Sequence, residues 1–181
     1  MRIFTSNADG DKLAKVKQFE MGVMIASSAS WNGLNKGWKE VPCALDNGAF
    51  QCWKRGFPFM ANVFRETLEK VYAAGLSLDF IVAPDIVAGG KASLDYSIEW
   101  ATGELKTAPR LALAVQDGMT PQDLVDADAF SHFSHLFVGG TLKWKWDTAS
   151  EWVDIAHQKG LKCHIGRCGQ FHHLRRAQKI K

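Results

Sequence analysis

Short apolar runs, each closed by a polar residue or a glycine, recur along the chain, and between them apolar positions return at helical spacing. The runs fall at residues 2–5, 22–26, 43–45, 80–83, 111–115, 135–138 and 162–165, which predicts seven strands. Met60, Val63, Phe64, Leu68, Val71 and Tyr72 form a helical stripe ahead of Gly75, a residue suited to the left-handed conformation that ends a helix. Leu94, Ile98, Ala101 and Leu105 form a second stripe, closed by Pro109. Thr120-Pro121-Gln122-Asp123 reads as a capped helix start: a hydroxyl to accept an early backbone N–H, proline in the first helical position and an acid in the first turn. Trp152, Val153, Ile155 and Ala156 predict a fourth helix stopped by Gly160, and a last helix is expected over 171–180. Alternation of this kind is the pattern of a mostly parallel sheet with crossover helices.

The polar residues at the ends of the runs are Asp46, Asp85, Gln116 and the pair Gly139 and Gly140. In a parallel β/α protein the carboxyl ends of the strands share one face, so these residues are expected to converge on a single pocket. Seven strands joined by right-handed crossovers predict a TIM-barrel-like (β/α) parallel barrel in one domain over 1–181. That barrel is expected to be incomplete, because a full one has eight strands and about 200 residues or more. No further apolar run comes after Leu174-Arg175-Arg176-Ala177. An open barrel leaves strand edges able to pair with another chain, so a homo-oligomer or a partner subunit that completes the barrel is expected.

Composition narrows the class only slightly. The 181 residues carry a net charge of +3, too mild to announce a nucleic-acid binder. The excess is concentrated late, at Lys143, Lys145, Arg167, Arg175, Arg176, Lys179 and Lys181, where phosphate contacts or an ordinary solvated basic face are both consistent readings. No apolar run approaches the length of a membrane span and the first residues lack a signal-like apolar stretch, so a soluble cytoplasmic protein is expected. Cys43, Cys52, Cys163 and Cys168 form no Cys-x-x-Cys pair and read as reduced thiols. The spacing from Cys163-His164 through Cys168 to His172-His173 fits no common zinc pattern, and neither metal nor cofactor is expected.

Asp46-Asn47-Gly48-Ala49-Phe50-Gln51 resembles the Asp-Ser-Gly-Gly-Phe-Gln motif of the tRNA-guanine transglycosylases. The order of the later elements agrees: an acid at the next strand end (Asp85), a Val-Gln-x-Gly segment (Val115, Gln116, Gly118) and a Gly-Gly strand end (Gly139, Gly140). His164-Ile165-Gly166-Arg167 is similar to a segment of the shorter bacterial and phage relatives that insert 7-deazaguanines into DNA, and the likeness spans about residues 40 to 177. The resemblance implies a protein that exchanges a purine at an N-glycosidic bond in nucleic acid, DNA rather than tRNA. It implies that Asp46 is the acid or base near the reacting ribose, that Phe50 packs on the purine, and that Asp85 and Gln116 read its polar edge. Gly139 and Gly140 would admit the base close to the backbone, with His164 and Arg167 also in the substrate site. Lys143, Lys145, Arg175 and Arg176 are the candidate nucleic-acid contacts, and Trp144 and Trp146, which alternate with the two lysines, suit stacking between phosphate contacts.

Each assignment has a plainer alternative: a structural turn at Asp46, a core ring at Phe50, a capping acid at Asp85, a loop residue at Gln116, a bend at the glycines, a structural histidine at His164 and a half-buried aromatic face for the tryptophans. The chain also departs from the family. Its enzymes use a later aspartate as nucleophile, and no aspartate occurs after Asp154. Either Asp46 works with water or another acceptor, or a partner subunit supplies the missing group, or base exchange has been lost. The competing functions are an N-glycosidase or nucleoside hydrolase, in which Asp46 or Asp85 activates water, and a catalytically inactive purine- or nucleotide-binding protein.

Overall fold

The computed structural model describes residues 2–27 and 34–180; Lys181, one of the late basic residues, lies outside them. In chain order the elements are β1 (Phe4–Ser6), α1 (Gly10–Gln18), β2 (Gly22–Ala26), β3 (Cys43–Asp46), α2 (Ala49–Lys54), α3 (Ala61–Ala73) and β4 (Leu78–Val82). Then come α4 (Gly90–Thr102), β5 (Leu111–Val115), α5 (Pro121–Asp126), β6 (His135–Val138), α6 (Leu142–Gln158), β7 (Lys162–Ile165) and α7 (Phe171–Lys179). The chain divides into two compact units, Met1–Val82 and Ala83–Lys181. In the first, β1, β2, β3 and β4 lie side by side in that order; in the second, β5, β6 and β7 do the same. The pairings within each unit are parallel. Among the described residues seven parallel strands alternate with helices, the element order of an incomplete TIM-barrel-like (β/α) fold, which has eight strands when complete.

In the first unit Val23, Ile25, Leu45 and Ile81 are buried on the strands, and Val16 of α1 and Phe64 and Val71 of α3 bury apolar faces as well. β3 registers with β2 so that Ala26 faces Asp46 at the end of the ladder. In the second unit Leu113, Val115, Leu136 and Val138 are buried on the strands. There α4 packs on β5, and α6 packs on both β6 and β7. Leu94 and Trp100 of α4, Leu124 of α5 and Ala149 and Trp152 of α6 are the buried helix residues. Full burial of one such aliphatic side chain contributes about 1.5–3 kcal/mol.

The capped start at Thr120 forms as the residues predict: its Oγ1 accepts from the Asp123 N–H at 3.3 Å, and Asp123 Oδ2 accepts from the Thr120 N–H at 2.8 Å. Two helices lack a readable stripe. α1 buries only Leu13 and Val16, and α2 buries only Ala49. The largest shift is in α6, which begins at Leu142 rather than near Trp152. The alternation of lysine and tryptophan over 143–146 mimics a period of two, but this segment is helical. Its start is set from outside: the Asp117 carboxylate, at the end of β5, accepts from the Thr141 N–H and the Thr141 Oγ1, each at 2.7 Å. A carboxylate at a helix amino terminus satisfies orphan N–H groups and complements the dipole.

Candidate functional site

In the first unit Asp46 closes β3 and is half-buried. Its Oδ1 accepts from the Gly48 N–H at 2.7 Å, and Asn47 Oδ1 accepts from the Ala49 N–H at 2.8 Å, so two successive Asx turns pass the chain into α2. Gly48 sits at φ +83°, and a Cβ there would lie 2.7 Å from the Ser27 carbonyl oxygen, so the turn requires glycine. Burial pushes the Asp46 carboxyl above the usual carboxylate range, against the pull of the Gly48 N–H. The turn reading and the acid reading of Asp46 therefore describe one geometry: one oxygen shapes the turn and the carboxyl holds its proton to higher pH. Phe50, on α2, is half-buried, with its ring 5.7 Å from that of Trp53.

In the second unit Asp85 and Gln116 are brought together, at 7% and 1% exposure. Gln116 Nε2 donates to Asp85 Oδ2 and, at 3.1 Å, to Ser93 Oγ on α4. Gln116 Oε1 accepts from the Ala88 N–H at 2.8 Å, and Ser93 Oγ accepts from the Ile86 N–H at 3.0 Å. Ala88 is held at φ +57°, a conformation a non-glycine residue adopts only when its surroundings impose it. Both amide hydrogens of Gln116 are thus committed to the protein, and what it retains is acceptor capacity on Oε1. Sequence reasoning missed Ser93, a small polar residue beside the stripe begun by Leu94 that carries no signal of its own.

At the ends of β6 and β7 the backbone is shaped by close approaches. The Gly139 N–H donates to the Val115 carbonyl at 2.9 Å, and Gly140 takes φ +68°. A Cβ on Gly140 would lie 2.6 Å from both Asp117 Oδ2 and the Trp144 ring. The bend is therefore sterically required, and it leaves the Gly140 carbonyl to accept from Arg167 Nη2. Arg167, itself at φ +55°, is drawn below the ordinary guanidinium range by burial, which Asp117 opposes. His164 stacks on Phe137 with ring centroids 5.1 Å apart. Burial first, then Lys145 and His135, bring its pKa to about 4, so it is a neutral imidazole through the physiological range.

The candidate phosphate contacts separate. Lys145 is wholly buried, with its Nζ donating to the Gly166 carbonyl at 2.5 Å, which corrects its assignment as a surface contact. The physical reason is the helix: residues two apart on α6 point to different faces, and only Lys143 is turned outward. Lys143 pairs with Asp147 at 2.5 Å in an exposed i,i+4 ion pair. On α7, Arg175 lies over the Phe171 ring at 4.6 Å, and Arg176 lies over the Trp146 ring at 5.1 Å while donating to the Trp146 carbonyl at 2.9 Å. Trp144 and Trp146 are half-buried, as the aromatic-face reading expects. Among the described residues no three metal-ligating side chains cluster, and no helix is long and apolar enough to cross a membrane. No protein-family model and no curated protein matches the chain.

Proposed function

We propose that this chain is a guanine or 7-deazaguanine transglycosylase-like protein acting on nucleic acid, with DNA favoured over tRNA. In the proposed exchange the bond from the sugar C1′, deoxyribose in DNA, to guanine breaks, guanine leaves with a proton, and the incoming base gives up a proton and bonds to the same carbon. The observation that carries this reading is Asp46: a half-buried carboxyl at a strand end, anchored through one oxygen to the Gly48 N–H, with its pKa raised by burial. A carboxyl whose proton is held above the usual carboxylate range suits protonation of a departing purine, and its conjugate base suits deprotonation of the arriving one. Phe50 is assigned to the purine face, and Asp85 with Gln116 to its polar edge.

The second unit supports the choice of a guanine-like base. Because the Gln116 hydrogens are spent on Asp85 and Ser93, the pair is acceptor-rich, which complements the adjacent N–H groups of a guanine edge. Gly139, Gly140, His164 and Arg167 complete the proposed substrate set. Arg175 and Arg176, with Lys143, are the proposed nucleic-acid contacts, and a second copy or a partner subunit is the proposed source of a nucleophile.

The test is exchange of labelled guanine into double-stranded DNA, single-stranded DNA and tRNA, with release of free base measured in parallel. Incorporation by the wild type and a loss of about 10²–10⁴ in rate for Asp46→Asn, with stability little changed, is expected. Full rate in the variant would remove Asp46 from the chemistry. Release of base without incorporation would select an N-glycosidase, and tight purine binding without turnover a silent binding protein.

A further inference from the structure

Lys145 is placed where stability alone does not put a lysine. It is 0% exposed, it lies in the first turn of α6 where the helix dipole disfavours a cation, and its hydrogen bond goes to a neutral acceptor, the Gly166 carbonyl. The titratable groups that act on it or feel it are His164 on β7, Arg167 and Cys168 in the turn after β7, and His173 on α7. None of these is a carboxylate, and no ion pair joins Lys145 to an acid among the described residues. Burial first, then Arg167, draw the ammonium down to about 8. An ammonium buried without a counter-ion keeps a desolvation cost that no opposite charge offsets. Its place calls for another reason.

The reason lies in what its hydrogen bond holds. Gly166 is pressed against Phe137, where a Cβ would lie 2.6 Å from the ring, and its N–H donates to the Val138 carbonyl at 3.1 Å. Arg167 comes next at φ +55° and reaches back to the Gly140 carbonyl. We propose that Lys145 is a positioning residue: its ammonium holds the Gly166 carbonyl, and through the turn at Gly166 and Arg167 it keeps the Arg167 side chain on Gly140 at the ends of β6 and β7. The planar, delocalised cation kept there suits a phosphate oxygen pair; that clause rests on the proposed nucleic-acid function, whereas the positioning itself does not.

Two measurements separate the parts. Amide hydrogen exchange over residues 166–170 of the free chain reads the positioning, and anisotropy of a fluorescein-labelled, guanine-containing single-stranded oligodeoxynucleotide reads what it serves. In Lys145→Met, exchange over 166–170 should accelerate by about tenfold or more while β5 and β6 keep their protection. Affinity for the oligonucleotide should fall by about tenfold, as it should in Arg167→Ala, and the double variant should lose little more than either single variant. Unchanged exchange over 166–170 in Lys145→Met overturns the proposal, as do additive losses in the double variant. If Lys145→Met does not fold, exchange over 166–170 is read in Lys145→Gln, whose amide ends one bond short of the ammonium, and unchanged exchange there overturns the proposal. A wild type that does not bind the oligonucleotide refutes the nucleic-acid function, and the exchange result then stands alone for or against the positioning.

Discussion

Lys145 also makes a stability prediction whose sign can be worked out. Its folded pKa of about 8 lies below the ordinary lysine value, so between the two the unfolded chain holds a proton that the folded chain has released. The wild type therefore gains stability as pH rises through this window, and below it carries the full penalty of the buried charge. In Lys145→Met that term is absent. Urea unfolding at pH 7 and pH 10 should show the stability of the wild type rising relative to the variant by an amount on the order of 3 kcal/mol, and a constant difference would mean that the ammonium is not destabilised by burial. Gly140 makes the converse case, where a small residue is demanded by geometry. Gly140→Ala must place a Cβ at φ +68° against Asp117 and Trp144, so a loss of about 1–3 kcal/mol is expected in thermal or urea unfolding. A neutral result would mean that the bend relaxes freely.

Among the elements, α5 and α6 show two ways of starting a helix. α5 is capped by its own residues, Thr120 and Asp123, so its start depends on local sequence. Thr120→Ala should cost about 1 kcal/mol and leave the second unit otherwise unchanged. α6 is capped from another element, by the Asp117 carboxylate at the end of β5. Asp117→Ala therefore removes two hydrogen bonds at Thr141 and the acid beside Gly140. Its effect should appear as rapid amide exchange at the first turn of α6 and at 139–141, which identifies Asp117 as the clamp between strand end and helix. Exchange there at the wild-type rate would assign the start of α6 to its own residues instead.

For the whole molecule, the outermost strands matter most. Among the described residues β7 pairs with β6 and has no strand on its other side, and β1 pairs only with β2. β1 is three residues long, a common way to blunt an edge, whereas β7 is four residues long with Lys162 as its exposed charge. Association is expected, and sedimentation velocity over a dilution series should show a species larger than one chain that dissociates on dilution. A strict monomer at every concentration would remove the second copy as the proposed source of a nucleophile.

The strands at 22–26, 111–115, 135–138 and 162–165 were legible residue for residue, because a short apolar run bounded by turn residues is a local signal. β1 and β4 were legible only to within two residues, since where a ladder begins depends on the neighbouring strand. The capping box at Thr120 and the turn at Asp46 were likewise local. The sequence by itself thus determined the order and type of the main elements, the barrel class, and the polar residues set at strand ends. Only the tertiary structure decided how those residues are used. It turned Lys145 inward, committed the Gln116 amide hydrogens to Asp85 and Ser93, made His164 neutral, and began α6 ten residues before Trp152. Each of these depends on burial and on partners supplied by other elements, and hydrophobic periodicity carries no record of either.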